Sequence, residues 1–236
     1  MSDTAVWLHA ANTAARWSAM DLPTSGLPDG DDVFSRLTTS GGEINTRRPL
    51  SPARIEELLD TPVQGERNAV WDPFGVGGVR LPQGARMIPL PVMTRPAGPV
   101  GVRPGADVVA VSTEDDLARA DRVIIEGFPR PELRPGQLFP PYVLDRPGWQ
   151  TWLAVRDGDP VAAGVSYDDG HCLGTYWLAS LPQHRGSGLG ATLLTSMLAA
   201  RPDLPAVLVS TPPAQSLYER LGYRTVSTGC WYVRRS

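Results

Sequence analysis

The glycine-rich run between Leu181 and Thr192 constrains the fold of this chain more than any other segment. The apolar residues 175–181 before it predict a buried strand, and the residues after it predict a helix. Three glycines in such a turn let the backbone adopt positive φ and come close to a ligand. Because the first N–H groups of a helix lack partners and its dipole is positive there, the turn predicts an anion site.

We call residues 185–191 the glycine loop. Arg185 at its start could offer a charged, bidentate contact to a phosphate. A P-loop is excluded because the chain has no lysine, and a dinucleotide fingerprint is disfavoured because the only nearby acid downstream, Asp203, lies in a proline-rich turn. A purely steric need for glycine in a tight turn stays the alternative.

A second segment lies downstream. Residues 206–210 predict a strand, and residues 214–223 predict a short helix that a glycine closes. With the glycine loop, this segment resembles the GNAT superfamily of acyl-CoA-dependent N-acetyltransferases. The family's phosphate loop, Arg/Gln-x-x-Gly-x-Gly/Ala, is matched by Arg185, Gly188 and Gly190. Its later segment, Asn-x-x-Ala-x-x-Leu-Tyr-x-x-x-Gly-Phe/Tyr, is matched by Ala214, Leu217, Tyr218, Gly222 and Tyr223, with Thr211 in place of the asparagine.

The resemblance covers about residues 105–236. It implies an α/β (α+β) acetyltransferase fold, in which a mixed, mostly antiparallel sheet is splayed between its fourth and fifth strands and flanked by helices. The predicted order agrees with it: strand 108–111, a helix capped at Ser112 or Thr113, meandering strands 151–155, 161–167 and 175–181, then helix, strand, helix and strand 229–233.

The resemblance also implies that acetyl-CoA is the cosubstrate and lies between the splayed strands. Its pyrophosphate would meet the N–H groups of Arg185, Gly186, Ser187, Gly188, Leu189, Gly190 and Ala191. Its pantetheine arm and thioester oxygen would meet those of Leu178, Ala179 and Ser180. The contact that the family's asparagine makes to this arm would fall on Thr211.

Proline and glycine alternate between Pro91 and Gly105, and no helix tolerates this spacing. We therefore expect residues 1–104 to form an N-terminal α/β appendage, which could be a degenerate acetyltransferase-like half, and residues 105–236 to form the acetyltransferase domain. In the appendage, residues 5–20 and 55–59 predict helices, the second capped by Ser51, and residues 68–71 and 87–93 predict strands.

The net charge of −3 argues against a nucleic-acid partner, which normally needs a basic surface. No apolar stretch is long enough to span a membrane, and no charged start precedes an apolar one, so we expect a cytoplasmic protein with no membrane partner. Two cysteines and three histidines are too few to suggest a metal site. The sequence does not determine the oligomeric state, and a homodimer is one of the alternatives.

By the resemblance, Tyr218 is the general acid that protonates the departing CoA thiolate; an aromatic ring packed in the core is the structural alternative. A general base is not evident, because the predicted strands of this domain hold no glutamate. Glu126 at the end of a helix is one candidate. Glu132, His171 and Tyr176 are others, and each has a structural or solvated alternative.

The resulting hypothesis is an N-acetyltransferase that moves an acetyl group from acetyl-CoA to a primary amine of a small molecule or peptide by direct attack. Transfer to aminoacylated tRNA is disfavoured by charge, and transfer to a protein N-terminus stays open. A non-catalytic acyl-CoA-binding sensor or scaffold is the alternative from another class, motivated by the missing base and by Thr211.

Overall fold

The computed structural model describes residues 2–24, 26–38, 41–63, 65, 67–128, 133–134 and 136–235. In chain order its first elements are α1 (Ser2–Ala19), β1 (Val33–Thr38), β2 (Gly41–Thr46), α2 (Pro52–Asp60), β3 (Arg67–Asp72), β4 (Ala85–Arg95) and β5 (Asp107–Ala110). They are followed by α3 (Glu114–Gly127), β6 (Trp149–Arg156), β7 (Asp159–Asp168), β8 (Leu173–Ser180), α4 (Leu189–Ala200), β9 (Ala206–Val209), α5 (Gln215–Arg220) and β10 (Arg224–Arg235).

The chain forms two compact units. The first comprises residues 1–94, 209–215 and 224–236, and the second comprises residues 95–208 and 216–223. The last strand, β10, therefore belongs to the first unit. The predicted division into an appendage of residues 1–104 and a domain of residues 105–236 stays a prediction, because a compact unit need not fold by itself.

The sheet of the first unit has the strand order β1-β2-β3-β10-β4. Of the pairs that the described strands of this unit form, only β2–β3 is parallel. Side chains alternate between the two faces of β3, so that Val70 joins a core with Ile55 and Leu58 of α2 while Trp71 meets His9 of α1. The helices α1 and α2 thus cover opposite faces. The hairpin of β1 and β2 was not predicted from the sequence.

Both ends of α2 have side-chain caps. The Ser51 side chain accepts a hydrogen bond from the Arg54 N–H at 3.2 Å, as the sequence predicted, and Pro52 stands in the first turn. At the other end, the buried Asn68 donates from Nδ2 to the carbonyls of Leu58, Leu59 and Thr61. These bonds satisfy groups that a helix leaves without internal partners.

The second unit holds a sheet of order β9-β8-β7-β6-β5, antiparallel except for the β8–β9 pair. The helix α3 lies on one face, where a Cβ atom on Gly127 would come within 2.7 Å of the Ala179 Cβ. The helix α4 lies on the other face, where a Cβ atom on Gly164 would come within 2.9 Å of the Met197 Cε. The predicted mixed, mostly antiparallel sheet with flanking helices is confirmed.

Local signals explain several elements of this unit. Asp157 and Gly158 both have positive φ, +54° and +86°, as a two-residue hairpin turn between β6 and β7 requires. The helix α3 begins after Thr113, whose side chain accepts from the Asp116 N–H at 3.2 Å, and acids fill its first turn.

Of the helices that the described residues form, none is both long and apolar enough to cross a membrane.

His9 is an ionisable group inside the first unit. Its side chain is 1% exposed, its ring meets that of Trp71 edge-on at 6.1 Å, and neither ring nitrogen has a partner among the described residues. Burial, with a smaller contribution from the charge of Arg16, lowers the pKa of His9 to about 4. The folded protein therefore keeps His9 neutral, whereas the unfolded chain protonates it below about pH 6.5.

This difference predicts an acid-sensitive contribution to stability. The contribution is complete above the unfolded pKa of 6.5 and decreases on acidification towards the folded pKa of about 4, by about 3 kcal/mol in total. We expect His9→Leu to remove this part of the pH dependence of the free energy of urea unfolding between pH 4 and 7.5. The exposed His171, changed to Gln, is the control; equal slopes for wild type and His9→Leu would contradict the expectation.

Candidate active site

A bulge interrupts β8 in the middle of the second unit's sheet. Ala163 of β7 faces Ala179, and Val165 faces Tyr176, so the single residue between them on β7 stands opposite two on β8. One of these two, Trp177, has a φ of +55°, which is rare for a bulky side chain. A bulge bends the strand and changes the direction of the residues that follow.

Just before the bulge, β8 also loses its second neighbour. The strand β9 pairs in parallel with β8 only at Leu173, Gly174 and Thr175, although β8 continues to Ser180. In the predicted acetyltransferase fold the fourth and fifth strands separate, and here these strands are β8 and β9. Their pairing ends after Thr175. Leu178, Ala179 and Ser180, the predicted backbone donors for the pantetheine arm, lie in the stretch of β8 that β9 does not pair with.

The glycine loop carries a row of open N–H donors. Gly186 and Gly188 have φ values of +75° and +85°, and such alternation makes a concave nest of backbone N–H groups. The N–H of Arg185 already donates to the Pro182 carbonyl, and that of Ala191 to the Gly188 carbonyl. Within the described part of the chain, the N–H groups of residues 186–190 donate to no acceptor. Five donors thus stay available.

These donors lie at the start of α4, a helix of 12 residues. Its N-cap residue is Gly188, which offers no capping side chain, and its first turn holds no acid. The Ser187 hydroxyl is engaged elsewhere, since it donates to the His184 carbonyl at 2.5 Å. The positive end of the helix dipole is therefore unneutralised by its own sequence, which favours a bound anion.

The three glycines of the loop serve two different needs. No atom would lie within 4 Å of a Cβ atom on Gly186 or Gly188, so these two are required by their positive φ. Gly190 is helical, and a Cβ atom there would come within 3.2 Å of the Leu217 Cδ2. The steric explanation therefore applies to Gly190, whose small size lets α4 approach the segment that carries Tyr218.

The short helix α5 ends in a Schellman motif. The Gly222 N–H donates to the Glu219 carbonyl at 3.0 Å, and the Tyr223 N–H donates to the Tyr218 carbonyl at 3.1 Å. Gly222 has the positive φ, +86°, that this motif requires. The rings of Tyr218 and Tyr223 meet at 5.9 Å and supply the accompanying apolar contact. The spacing of both tyrosines around the glycine thus has a structural cause.

Both tyrosines are buried. Tyr223 is 3% exposed, and its buried hydroxyl lies near the Thr175 side chain without a hydrogen bond of full geometry among the described residues. Tyr218 is 7% exposed, and burial raises its pKa to about 12. Tyr218 is therefore protonated at neutral pH and able to donate a proton or a hydrogen bond, but it cannot serve as a base.

The candidates for a general base lie in different surroundings. Glu126 is exposed in the last turn of α3, and Glu132 lies outside the described residues. His171 is exposed in the turn before β8, at the end of that strand remote from the glycine loop. Tyr176 is half-buried next to the bulge. The strands described in the second unit hold no glutamate.

Thr211 and the side chain of Arg185 complete the predicted residues. Thr211 is exposed in the first unit, before a 3-10 turn, and its side chain makes no capping bond. The Arg185 side chain donates from Nη2 to the Gly127 carbonyl at 2.7 Å. Its guanidinium therefore lies at the C-terminus of α3.

Asp121 is a buried carboxylate that the sequence analysis missed. It is 1% exposed in α3, and its Oδ2 accepts from the N–H groups of Gly136 and Leu138 at 2.5 and 3.3 Å. Burial raises its pKa, and its Oδ1 has no partner among the described residues. The signal was its position four residues after Leu117, on the apolar face of the helix.

No group of three His, Cys, Asp or Glu able to hold a metal ion occurs in the described chain.

A family model and several solved structures resemble this chain. Residues 147–225 match the model of an acetyltransferase (GNAT) domain, a segment that contains the β8 bulge, the glycine loop and the Schellman motif of α5. No protein among the curated sequences matches the chain.

A GNAT-family protein of Novosphingobium aromaticivorans is 21% identical, with a TM-score of 0.57 over 93% of this chain and 96% of its own. A GCN5-related N-acetyltransferase of Kribbella flavida is 19% identical, with a TM-score of 0.57 over 82% of this chain and 81% of its own. At these identities the solved structures establish the fold. With the family model, they confirm the resemblance: the segment of residues 147–225 belongs to the GNAT acetyltransferase family.

Proposed function

We propose that this protein transfers an acetyl group from acetyl-CoA to a primary amine of a small molecule or peptide. The observation that carries the proposal is the row of five open N–H donors at the positive end of α4. A pyrophosphate has the charge and the acceptor oxygens for such a row. Membership of residues 147–225 in the GNAT family supports acetyl-CoA as the bearer of that pyrophosphate.

The parting of β8 and β9 supports the placement of the rest of the cosubstrate. The backbone of Leu178, Ala179 and Ser180 would pair with the pantetheine arm, as a neighbouring strand would. A backbone N–H directed at the thioester oxygen would stabilise the oxyanion that forms when an amine attacks. Loss of one such donor costs about 10²–10³ in rate.

The reaction proceeds by direct attack. The neutral amine nitrogen bonds to the thioester carbon, the carbon–sulfur bond of the tetrahedral intermediate breaks, and the products are an acetamide and CoA. Tyr218 donates a hydrogen bond to the departing sulfur, while the proton from the amine passes through solvent or a base to that sulfur. Glu126 stays the proposed base, and its exposure favours transfer through water.

A charge reversal in the glycine loop tests cosubstrate binding. We expect Gly188→Glu to weaken the affinity for acetyl-CoA at least about 100-fold, because it places an anion among the open N–H donors. Gly170→Glu is a matched control: both glycines have a φ of +85° and no atom within 4 Å of a Cβ atom, but Gly170 precedes β8. Calorimetry with acetyl-CoA measures both. Equal losses in the two variants, or no binding by the folded wild type, would refute the proposed site.

A pair of hydroxyl deletions tests the role of Tyr218. We expect Tyr218→Phe to lower kcat about 10²–10⁴-fold with an amine substrate while the dissociation constant for acetyl-CoA stays within about threefold. Tyr223→Phe removes a buried hydroxyl whose contact with Thr175 is not a hydrogen bond of full geometry, so it should leave kcat unchanged and change the stability by less than about 1 kcal/mol. Because the pKa of Tyr218 is about 12, its ionisation should not reduce kcat below about pH 10. A sensor without catalytic activity would bind acetyl-CoA and show no turnover to lose.

A further inference from the structure

The side chain of Arg185 makes a contact that a phosphate ligand does not need. Its Nη2 donates at 2.7 Å to the carbonyl of Gly127, the last residue of α3 and 58 positions away in sequence. Carbonyls at a helix C-terminus have no helical partner, and a cation is favourable at this end of the dipole. The guanidinium therefore ties the start of the glycine loop to the end of α3.

The end of α3 lies directly against the bulge of β8. A Cβ atom on Gly127 would come within 2.7 Å of the Ala179 Cβ and 3.2 Å of the Ser180 carbonyl oxygen. The next residue, Phe128, meets the ring of Trp177 edge-on, with centroids 6.0 Å apart at 80°. Arg185, Gly127, Phe128 and Trp177 thus form a continuous set of contacts, which we call the α3 clamp.

The α3 clamp explains how Trp177 keeps its unusual backbone conformation. A φ of +55° at an aromatic residue persists only where surrounding contacts hold it, and such residues concentrate at functional sites. Phe128 provides such a contact, and Arg185 fixes the peptide that precedes Phe128. Release of Arg185 would therefore loosen the bulge as well as the helix end.

We propose that Arg185 is a positioning residue, which uses the α3 clamp to hold Phe128 and the bulge of β8, next to the backbone proposed to meet the thioester, in place for the attack of the amine. The proposal rests on the proposed function. Only Nη2 of the guanidinium is bonded to the Gly127 carbonyl, so its other N–H groups could reach a phosphate only from the position in which this bond holds them. The open N–H groups of residues 186–190 leave the pyrophosphate enough donors without it.

The proposal is tested with Arg185→Gln, Phe128→Ala and the double variant. We expect Arg185→Gln to change the dissociation constant for acetyl-CoA less than about threefold and to lower kcat/KM for the amine at least about tenfold. Phe128→Ala should do the same. Because both act on one set of contacts, the double variant should fall little further than the worse single variant. Arg86→Gln, an exposed arginine in β4 of the first unit, controls for loss of one positive charge.

Amide hydrogen exchange provides a readout independent of turnover. Residues 121–128 and 176–180 should exchange faster in Arg185→Gln than in wild type or Arg86→Gln, with and without acetyl-CoA. If Arg185→Gln does not fold, Arg185→Lys retains a donor for the Gly127 carbonyl and should show a smaller form of each effect.

Two results would overturn the α3 clamp. One is a loss of at least about tenfold in the affinity of Arg185→Gln for acetyl-CoA, with kcat unchanged at saturating acetyl-CoA. This result is expected if the Arg185 side chain binds a phosphate of acetyl-CoA. The other is unchanged hydrogen exchange in both segments. A wild type that neither binds acetyl-CoA nor acetylates any amine would instead refute the proposed function, and the exchange comparison would still decide whether Arg185 holds the end of α3.

Discussion

One surplus residue in β8 governs the architecture of the second unit. Because two residues of β8 stand opposite Gly164 of β7, the strand bends where its pairing with β9 has just ended. A regular strand could remain paired on both edges and would leave its backbone no unfilled hydrogen bonds. Here the stretch of β8 that contains the bulge has one strand neighbour, and it leads into the turn before α4. An edge of this kind suits a ligand that can pair like a strand.

The glycine loop also lacks a bond that would stabilise the start of α4. At an N-cap with an extended backbone, a side chain such as Ser or Asp satisfies an N–H group and stabilises the helix by about 1 kcal/mol. Gly188 forgoes this bond, and the helix is instead stabilised by its buried surface, to which Leu193, Leu194 and Met197 contribute with no exposed area. The N–H groups thereby stay open to an anion. Proteins commonly give up local stability in this way at binding sites.

The features that were predictable from sequence have local causes. The positive φ of Gly186, Gly188 and Gly222 and the side-chain caps of α2 and α3 each depend on a few neighbouring residues, so the sequence patterns alone identify these elements. The guanidinium of Arg185 could not be placed in this way, since its acceptor is 58 positions away. Nor could β10 be assigned to the first unit, because its antiparallel partners β3 and β4 lie more than 120 residues upstream. Asp121 was visible only as a break in an apolar face.

The burial of Tyr218 limits what it can do for a leaving thiolate. A phenol with a pKa of about 12 holds its proton more tightly than a thiol with a pKa of about 8.5, so complete transfer to sulfur is unfavourable by about 5 kcal/mol if the sulfur keeps that value. A hydrogen bond to the forming thiolate needs no such transfer, and it strengthens as negative charge develops on the sulfur. Because Tyr218 is only 7% exposed, little solvent surrounds that bond to weaken it. Tyr218 is therefore better suited to stabilise the departing charge than to neutralise it, and the proton can reach the sulfur from the attacking amine, whose nitrogen becomes acidic as its bond to carbon forms.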